Sequence, residues 1–305
     1  MPKMPKSVLL SDGLADKYAG LLKCPICHNS MALINKKSLI CRDKHCFDLA
    51  KQGYVNLLSH GIKTKYNKQL FEARKLLAQS GFFEPLNQLL CTLIGNLMNN
   101  SEGKAQGPSL NIVDAGCGEG SHLATIQQKL LQSRGIQPLG VGMDLAKEGI
   151  QMAARDYGSI LWCVADLAQC PFGDQQFNVL LNILSPANYS EFARILTDDG
   201  LIIKVVPEKD YLKELREILY KETAKQDYSN AKTRELFENH LQLCKLVPLR
   251  YSVTLDQPLI GNLVQMTPLT WGAEETRIAK VLKLESLEIT IDLTIMVGQK
   301  REERS

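Results

Sequence analysis

From residue 110 onward the chain alternates short apolar runs with amphipathic stretches of helical length. LNIVDAG, PLGVGMD, ILWCVAD, FNVLLNIL and LIIKVVP are the apolar runs, and their brevity and richness in Val, Ile and Leu mark them as buried strands. Strands without a polar face must be covered on both sides, so this rhythm predicts a parallel sheet between helices. Further on, helices are expected at about 209–223 and 229–244. A strand follows at 246–254, expected to run parallel to the others, then an irregular stretch containing QMTPLTW and a last strand at 287–297.

Upstream the pattern is weaker. Residues 1–20 are polar without periodicity and read as a flexible tail. Residues 21–60 offer only strand-like scraps such as SLIC, too little apolar surface to hold a module by burial alone. From about residue 68 a helical pattern sets in, with Leu70, Phe71, Leu76 and Leu77 apolar and Gly81 as a stop; EPLNQLLCTLIGNLM is a second helix, and NNSEGKAQGPS (99–109) a linker. The division is therefore 1–20, 21–60, a connector over 61–109, and a large domain over 110–305. No internal repeat is present.

Composition narrows the class. With 305 residues, 45% hydrophobic and 23% charged, the chain can bury a core without disulfides, which excludes global disorder and disulfide-knot peptides. No apolar run reaches the roughly 18 to 20 residues of a membrane span, and MPKMPKSVLLSDG lacks the apolar centre of a signal peptide. A cytoplasmic protein with reduced thiols is expected. The net charge of +3 conceals an asymmetry: residues 1–80 carry 14 Lys and Arg against 5 Asp and Glu, whereas the rest is net acidic. That split suits an N-terminal part facing a polyanion, or a solvated lysine surface.

Cys24-Pro-Ile-Cys27, 13 further residues and Cys41-Arg-Asp-Lys-His45 have zinc-ribbon spacing. Two tight turns each present two ligands, and four protein ligands leave no open position, so the metal is structural. Cys46 competes with His45 for the fourth place on spacing alone. A c-type haem at Cys24-x-x-Cys27-His28 would need export, and a redox pair would not need Cys41. The other five cysteines sit in apolar or loop surroundings and read as small hydrophobes.

Asp114-Ala-Gly116-Cys-Gly118-Glu119-Gly120 lies between a strand and a helix, so backbone approaches a ligand closely there. Ser121 breaks the dinucleotide pattern, and the Gly-Lys-Ser/Thr of a phosphate loop is absent. The next strands end in Gly142-Met-Asp144, where a carboxylate can hold ribose hydroxyls, and Ala165-Asp166-Leu167. Three strands thus deliver glycines or acids to one carboxyl edge.

Residues 111–206 resemble the class I S-adenosylmethionine-dependent methyltransferases through DAGCGEG, GMD, ADL…CPF…D…FNV and EFARILTDDGLIIKVVP. The resemblance implies an α/β, Rossmann-like sheet in which the glycine loop (Asp114, Gly116, Gly118, Glu119, Gly120) passes the methionine moiety, Asp144 holds the ribose, and Asp166 with Leu167 meets the adenine. Including CPIC…CRDKH, FDLAKQGYVNLL, ARKLL…GFFEPL and QMTPLTW, the chain from about residue 22 resembles the RlmA family of bacterial 23S rRNA guanine-N1 methyltransferases. That likeness implies a small zinc-ribbon-like N-terminal domain holding an rRNA hairpin, zinc on Cys24, Cys27, Cys41 and His45, and commonly a homodimer. It also implies, as in some relatives, an effect on macrolide sensitivity. Phe83 stands where relatives can carry tyrosine and Tyr211 where some carry histidine; both are expected beside the cofactor.

Methylating guanine N1 requires loss of its proton. No residue announces itself as the base. Asn182 and Ser185, in the loop after the fourth strand, are the catalytic candidates, though Asn cannot act as a base and the loop can equally be a turn around Pro186. Trp271, with Met266 to Pro268, is a candidate wall for the flipped guanine, or else a core tryptophan. Lys63, Lys65, Lys68, Arg74 and Lys75 are the expected phosphate contacts. Two other readings compete: a small-molecule methyltransferase whose zinc module is a lid, and a non-catalytic zinc-ribbon RNA-binding protein.

Overall fold

In the computed structural model, which describes residues 15–58, 61–62, 64–99, 110–221 and 229–301, the expected tail ends early. Helix α1 (Ala15–Leu21) already begins within it and buries Tyr18 and Leu21. Residues 1–14 lie outside the described residues. The zinc-ribbon segment follows as three short antiparallel strands, β1 (Met31–Ile34), β2 (Ser38–Cys41) and β3 (Cys46–Asp48).

The expected boundary near residue 60 is not a break in the core. Strand β4 (Val55–Asn56) leaves the ribbon and pairs in parallel with β7 (Leu161–Val164), the edge of the large sheet. Leu22 bridges to Phe172, and Lys23 N donates to Pro171 O at 2.9 Å. Tyr18, Leu22, Met31 and Leu39 share one apolar cluster with Val141 and Leu161, so the ribbon and sheet are cemented by common burial. Two residues of strand were too little to read from periodicity.

Helices α2 (Lys68–Gln79) and α3 (Glu84–Asn99) follow as expected. Asn67 Oδ1 caps α2 by accepting from Leu70 N at 2.9 Å, and Gly81, at φ +88°, turns the chain. The linker at 100–109 lies outside the described residues. What the sequence treats as a connector covers the site: α2 packs against α5 (Lys147–Asp156) and α9 (Gln257–Met266), and α3 against α4 (Ser121–Arg134).

The five apolar runs form β5 (Asn111–Ala115), β6 (Leu139–Asp144), β7, β8 (Phe177–Ile183) and β9 (Leu196–Pro207), all parallel where they pair. Downstream lie α6 (Tyr189–Ile195, ahead of β9), α7 (Lys213–Tyr220), α8 (Ala231–His240), β10 (Leu241–Asp256), α10 (Glu275–Leu282) and β11 (Ser286–Lys300). The sheet order is β10-β11-β9-β8-β5-β6-β7-β4.

The sheet is therefore mixed. β11 is antiparallel to both β9 and β10. β10 keeps the direction expected of it but reaches the sheet only across β11. Residues 241–244, read as the end of a helix, are strand, because pairing with residues 298–300 outweighs their local propensity. Since β10 ends at the carboxyl edge, α9 and the turn Pro268–Gly272 that follow it stand beside the glycine loop.

Candidate functional site

Cys24 and Cys41 are buried, Cys27 and His45 half-buried, and one ligand atom from each lies within 4.8 Å of the others. Cys24 Sγ and Cys41 Sγ are each 3.5 Å from His45 Nδ1, and Cys27 Sγ is 3.5 Å from Cys41 Sγ. With Zn–S bonds of about 2.3 Å, neighbouring ligands of a tetrahedral zinc sit nearly 4 Å apart, so the four atoms match its size and chemistry. Cys46 is outside the cluster; its exposed thiol faces Asp48.

At the carboxyl edge of the sheet, Gly116, Gly118 and Gly120 adopt φ of +87°, +57° and +83°. A Cβ on Gly116 would come within 1.9 Å of Ser185 Oγ, and one on Gly120 within 2.4 Å of the buried Trp162 ring. The loop therefore needs glycine for both conformation and space. Asp144, ending β6, fastens it: Oδ2 accepts from Gly118 N at 2.9 Å and Oδ1 from Ala146 N at 2.8 Å.

Two adjoining cavities open here. One, of about 450 Å³, is lined by Gly116, Gly118, Asp144, Asp166, Leu167 and Trp271. The other, of about 570 Å³, is lined by Phe83, Lys204, Tyr211, Arg216, Met266 and Pro268. Tyr66, Arg74 and Leu184 to Pro186 border both. Leu184 carries this shared wall at φ +51°, a conformation a leucine rarely adopts and one found where structure overrides local preference.

Acidic side chains gather at and beneath the cavity floor. Asp114 is 1% exposed, lines neither cavity, and its Oδ1 has no hydrogen-bond partner; burial raises its pKa to about 7 against the pull of Arg74. Glu119, equally buried, faces Arg74 Nε at 3.2 Å and accepts from Ser121 Oγ. Burial raises Asp144 as well. Burial alone would lower Arg74, but Glu119, Asp144 and Asp114 outweigh it. One guanidinium facing three carboxylates leaves an excess of negative potential, a setting that favours a cationic ligand.

The basic residues divide. Arg74, expected on phosphate, points inward to Glu119, and Lys75 Nζ is bound to Asp156 Oδ2 at 2.6 Å, so neither presents a free charge at the surface. Both bonds are made by residues distant in sequence, which is why composition could not reveal them. Lys65 and Lys68 are exposed, Lys65 Nζ lying 5.9 Å from the Trp271 ring centre and Lys68 Nζ 3.3 Å from Glu72 Oε1 in a solvent-facing pair that contributes little. Lys63 lies outside the described residues. Trp271 is no core residue; it is 45% exposed and packs edge-on to Tyr66 at 5.5 Å.

Asn182 is fully buried, donating to Ala115 O at 2.7 Å and Pro186 O at 2.9 Å, while its Oδ1 accepts from Lys204 Nζ. Its place is under the shared wall, holding Pro186 directly, while Lys204 Nζ holds Ser185 O at 2.8 Å. Sequence reasoning missed Tyr66 and Lys204. A signal for the second existed: a lysine inside LIIKVVP, a run otherwise wholly apolar.

Residues 22–64 match the family model for the N-terminal zinc ribbon of RlmA. Over 282 residues the chain is 43% identical to YxjB of Bacillus subtilis (strain 168), named as a 23S rRNA (guanine-N(1)-)-methyltransferase, with 92% of this chain and 97% of that protein covered. It is 29% identical over 280 residues to the 23S rRNA (guanine(748)-N(1))-methyltransferase of Streptomyces fradiae, covering 90% and 95%. Among solved structures, PH0226 protein from Pyrococcus horikoshii OT3 superposes with a TM-score of 0.45 at 14% identity, over 73% of this chain and 91% of that one.

Proposed function

Because the chain belongs to the RlmA family of 23S rRNA (guanine-N1)-methyltransferases, we propose that it methylates N1 of a guanine in a hairpin of 23S rRNA, using S-adenosylmethionine. The observation that carries this reading is the pair of cavities meeting at Tyr66, Arg74 and Leu184 to Pro186, one over the glycine loop and one beyond it. Donor and acceptor can meet at that shared wall.

When bound, S-adenosylmethionine supplies a methyl group activated on a sulfonium. Its positive charge suits the acidic floor of Asp114, Glu119 and Asp144. In this reading Asp144 accepts from ribose hydroxyls, Asp166 and Leu167 meet the adenine, and Phe83 and Tyr211 pack beyond the methionine end, with Gly116, Gly118 and Gly120 letting backbone approach. Residues 21–60, with zinc on Cys24, Cys27, Cys41 and His45, act as the RNA-recognition module, and residues 110–305 with the two helices before them as the catalytic part.

The target base must leave its stack to reach the second cavity. Tyr66, at the border of both cavities, and Trp271, edge to face with it on the side of the glycine loop, are exposed and offer rings for a flipped guanine, and Lys65 and Lys68 offer charge to the flanking phosphates. Asn182 and Ser185 shape the wall between donor and acceptor. Among the described residues no helix is long and apolar enough to cross a membrane. The proposal extends to work in the cytoplasm, to a homodimer and to an effect on macrolide sensitivity.

The test is incubation of the protein with S-adenosylmethionine and 23S rRNA, followed by primer extension, which stops where N1 methylation blocks the Watson–Crick edge. A new stop at one hairpin guanosine is expected. Unmodified rRNA, with methyl groups passed to a small molecule instead, would overturn the reading.

A further inference from the structure

Lys204 sits in the middle of β9 between Ile202, Ile203, Val205 and Val206, all buried, and is itself 3% exposed. Among the described residues no carboxylate lies within ion-pair distance of it. Its Nζ donates to Asn182 Oδ1 at 2.5 Å and to Ser185 O at 2.8 Å, and the side chain lines the larger cavity beside the shared wall. A buried, unpaired ammonium is costly, whereas a neutral amine has two N–H bonds and one lone pair. The two N–H bonds match the two acceptors.

Resting on the methyl transfer to guanine N1 proposed above, we propose that Lys204 is the general base that takes the N1 proton. The amine is held by Asn182 and Ser185, on the cavity wall where the acceptor would lie. The N1–H bond breaks, and the proton passes to the lone pair on Nζ. The electron pair left on N1 forms the N1–CH₃ bond as the methyl–sulfur bond of the sulfonium donor breaks. That bond's electrons return to sulfur, which becomes a neutral thioether. Lys204 ends as the ammonium and releases its proton to solvent when product leaves.

The other polar groups facing this cavity do not compete. Arg74 from α2 and Arg216 from α7 are guanidiniums, with no lone pair to take a proton. Tyr66, Tyr211 and Tyr220 are phenols, and burial pushes that of Tyr211 up to about 12. Burial brings Lys204 down to about 8, so part of the population carries the lone pair near neutral pH.

The test uses the full chain with its rRNA substrate, comparing wild type with Lys204→Arg and Lys204→Met under single turnover from pH 6 to 10. Wild-type rate should climb with an apparent pKa near 8. Both variants should lose about 10² to 10⁴-fold in rate and lose that limb, with S-adenosylmethionine affinity by calorimetry kept within about twofold. Arg cannot give up its proton, so retention of a tenth or more of the rate by Lys204→Arg would show a fixed cation and overturn the inference. Should the variants misfold, ¹³C-lysine NMR of wild type decides: a lysine titrating near pH 8 that shifts on binding the hairpin supports the base, and its absence refutes it. A wild type that leaves guanine unmethylated overturns the proposed function itself, and this inference with it.

Discussion

Arg74 Nε lies 3.2 Å from Glu119 Oε2, joining α2 to the glycine loop. Glu119 is 1% exposed and Arg74 19%, so the contact lies inside the molecule. An arginine that belongs by charge count to the basic N-terminal part is thereby a component of the wall shared by the two cavities.

Arg74→Gln should lower stability by about 3 to 5 kcal/mol, the usual cost of breaking a buried ion pair from one side, seen as a lower midpoint in urea. It should leave the salt dependence of RNA binding unchanged. Lys65→Ala with Lys68→Ala should instead reduce the log–log salt slope by roughly one to two units. A flattened slope in Arg74→Gln without loss of stability would return Arg74 to the RNA surface.

Asp114 should make both stability and S-adenosylmethionine affinity depend on pH. Its folded pKa is raised to about 7 from 3.8. Across that window the folded protein holds a proton that the unfolded chain has released, so the contribution favours folding at low pH and is lost as pH rises through 7. Thermal melts of Asp114→Asn should show a shallower decline between pH 5 and 8 than wild type. Ionisation also deepens the negative floor, so S-adenosylmethionine should bind more tightly as pH rises from 6 to 8, and the uncharged-sulfur S-adenosylhomocysteine should gain less. Equal gains in calorimetry would remove Asp114 from the charge balance.

Cys41→Ser should lose zinc and lower the melting temperature of the whole protein in a single transition. The reason is the shared core: β4 is part of the large sheet, and Leu22 and Met31 pack in the cluster that holds Val141 and Leu161. Full zinc content in the variant would exclude Cys41 as a ligand, and an unaltered main transition would show an independently folding ribbon.

Asp144→Ala should weaken S-adenosylmethionine binding by roughly 1.5 to 3 kcal/mol, the range for hydrogen bonds to a charged group. Part of that loss is indirect, since the same carboxylate holds Gly118 N and Ala146 N. Gly116→Ala, whose Cβ would meet Ser185 Oγ at 1.9 Å, should lose binding too, and Ser185→Gly added to it should restore some of the loss. An unchanged dissociation constant for either single variant would place the donor elsewhere.

The sequence by itself determined whatever depends on neighbours along the chain. Alternating apolar runs specify buried strands, paired Cys turns specify a tetrahedral metal site, and glycines followed by strand-end acids specify a carboxyl-edge cavity, because each rests on local spacing and residue chemistry. Tertiary structure decided the rest. That β4 extends the main sheet and that β11 enters it antiparallel depends on pairings between residues far apart in sequence, Val55 with Cys163 and Leu293 with Pro207, which no local period encodes. Whether Arg74 or Lys75 is free for a phosphate depends on Glu119 and Asp156, 45 and 81 residues away. Lys204 is the sharpest case. Its anomaly shows in LIIKVVP, but its two acceptors, Asn182 and Ser185, come from the adjacent strand and the loop after it, so its hydrogen bonds and its lowered pKa exist only once β8 and β9 lie side by side.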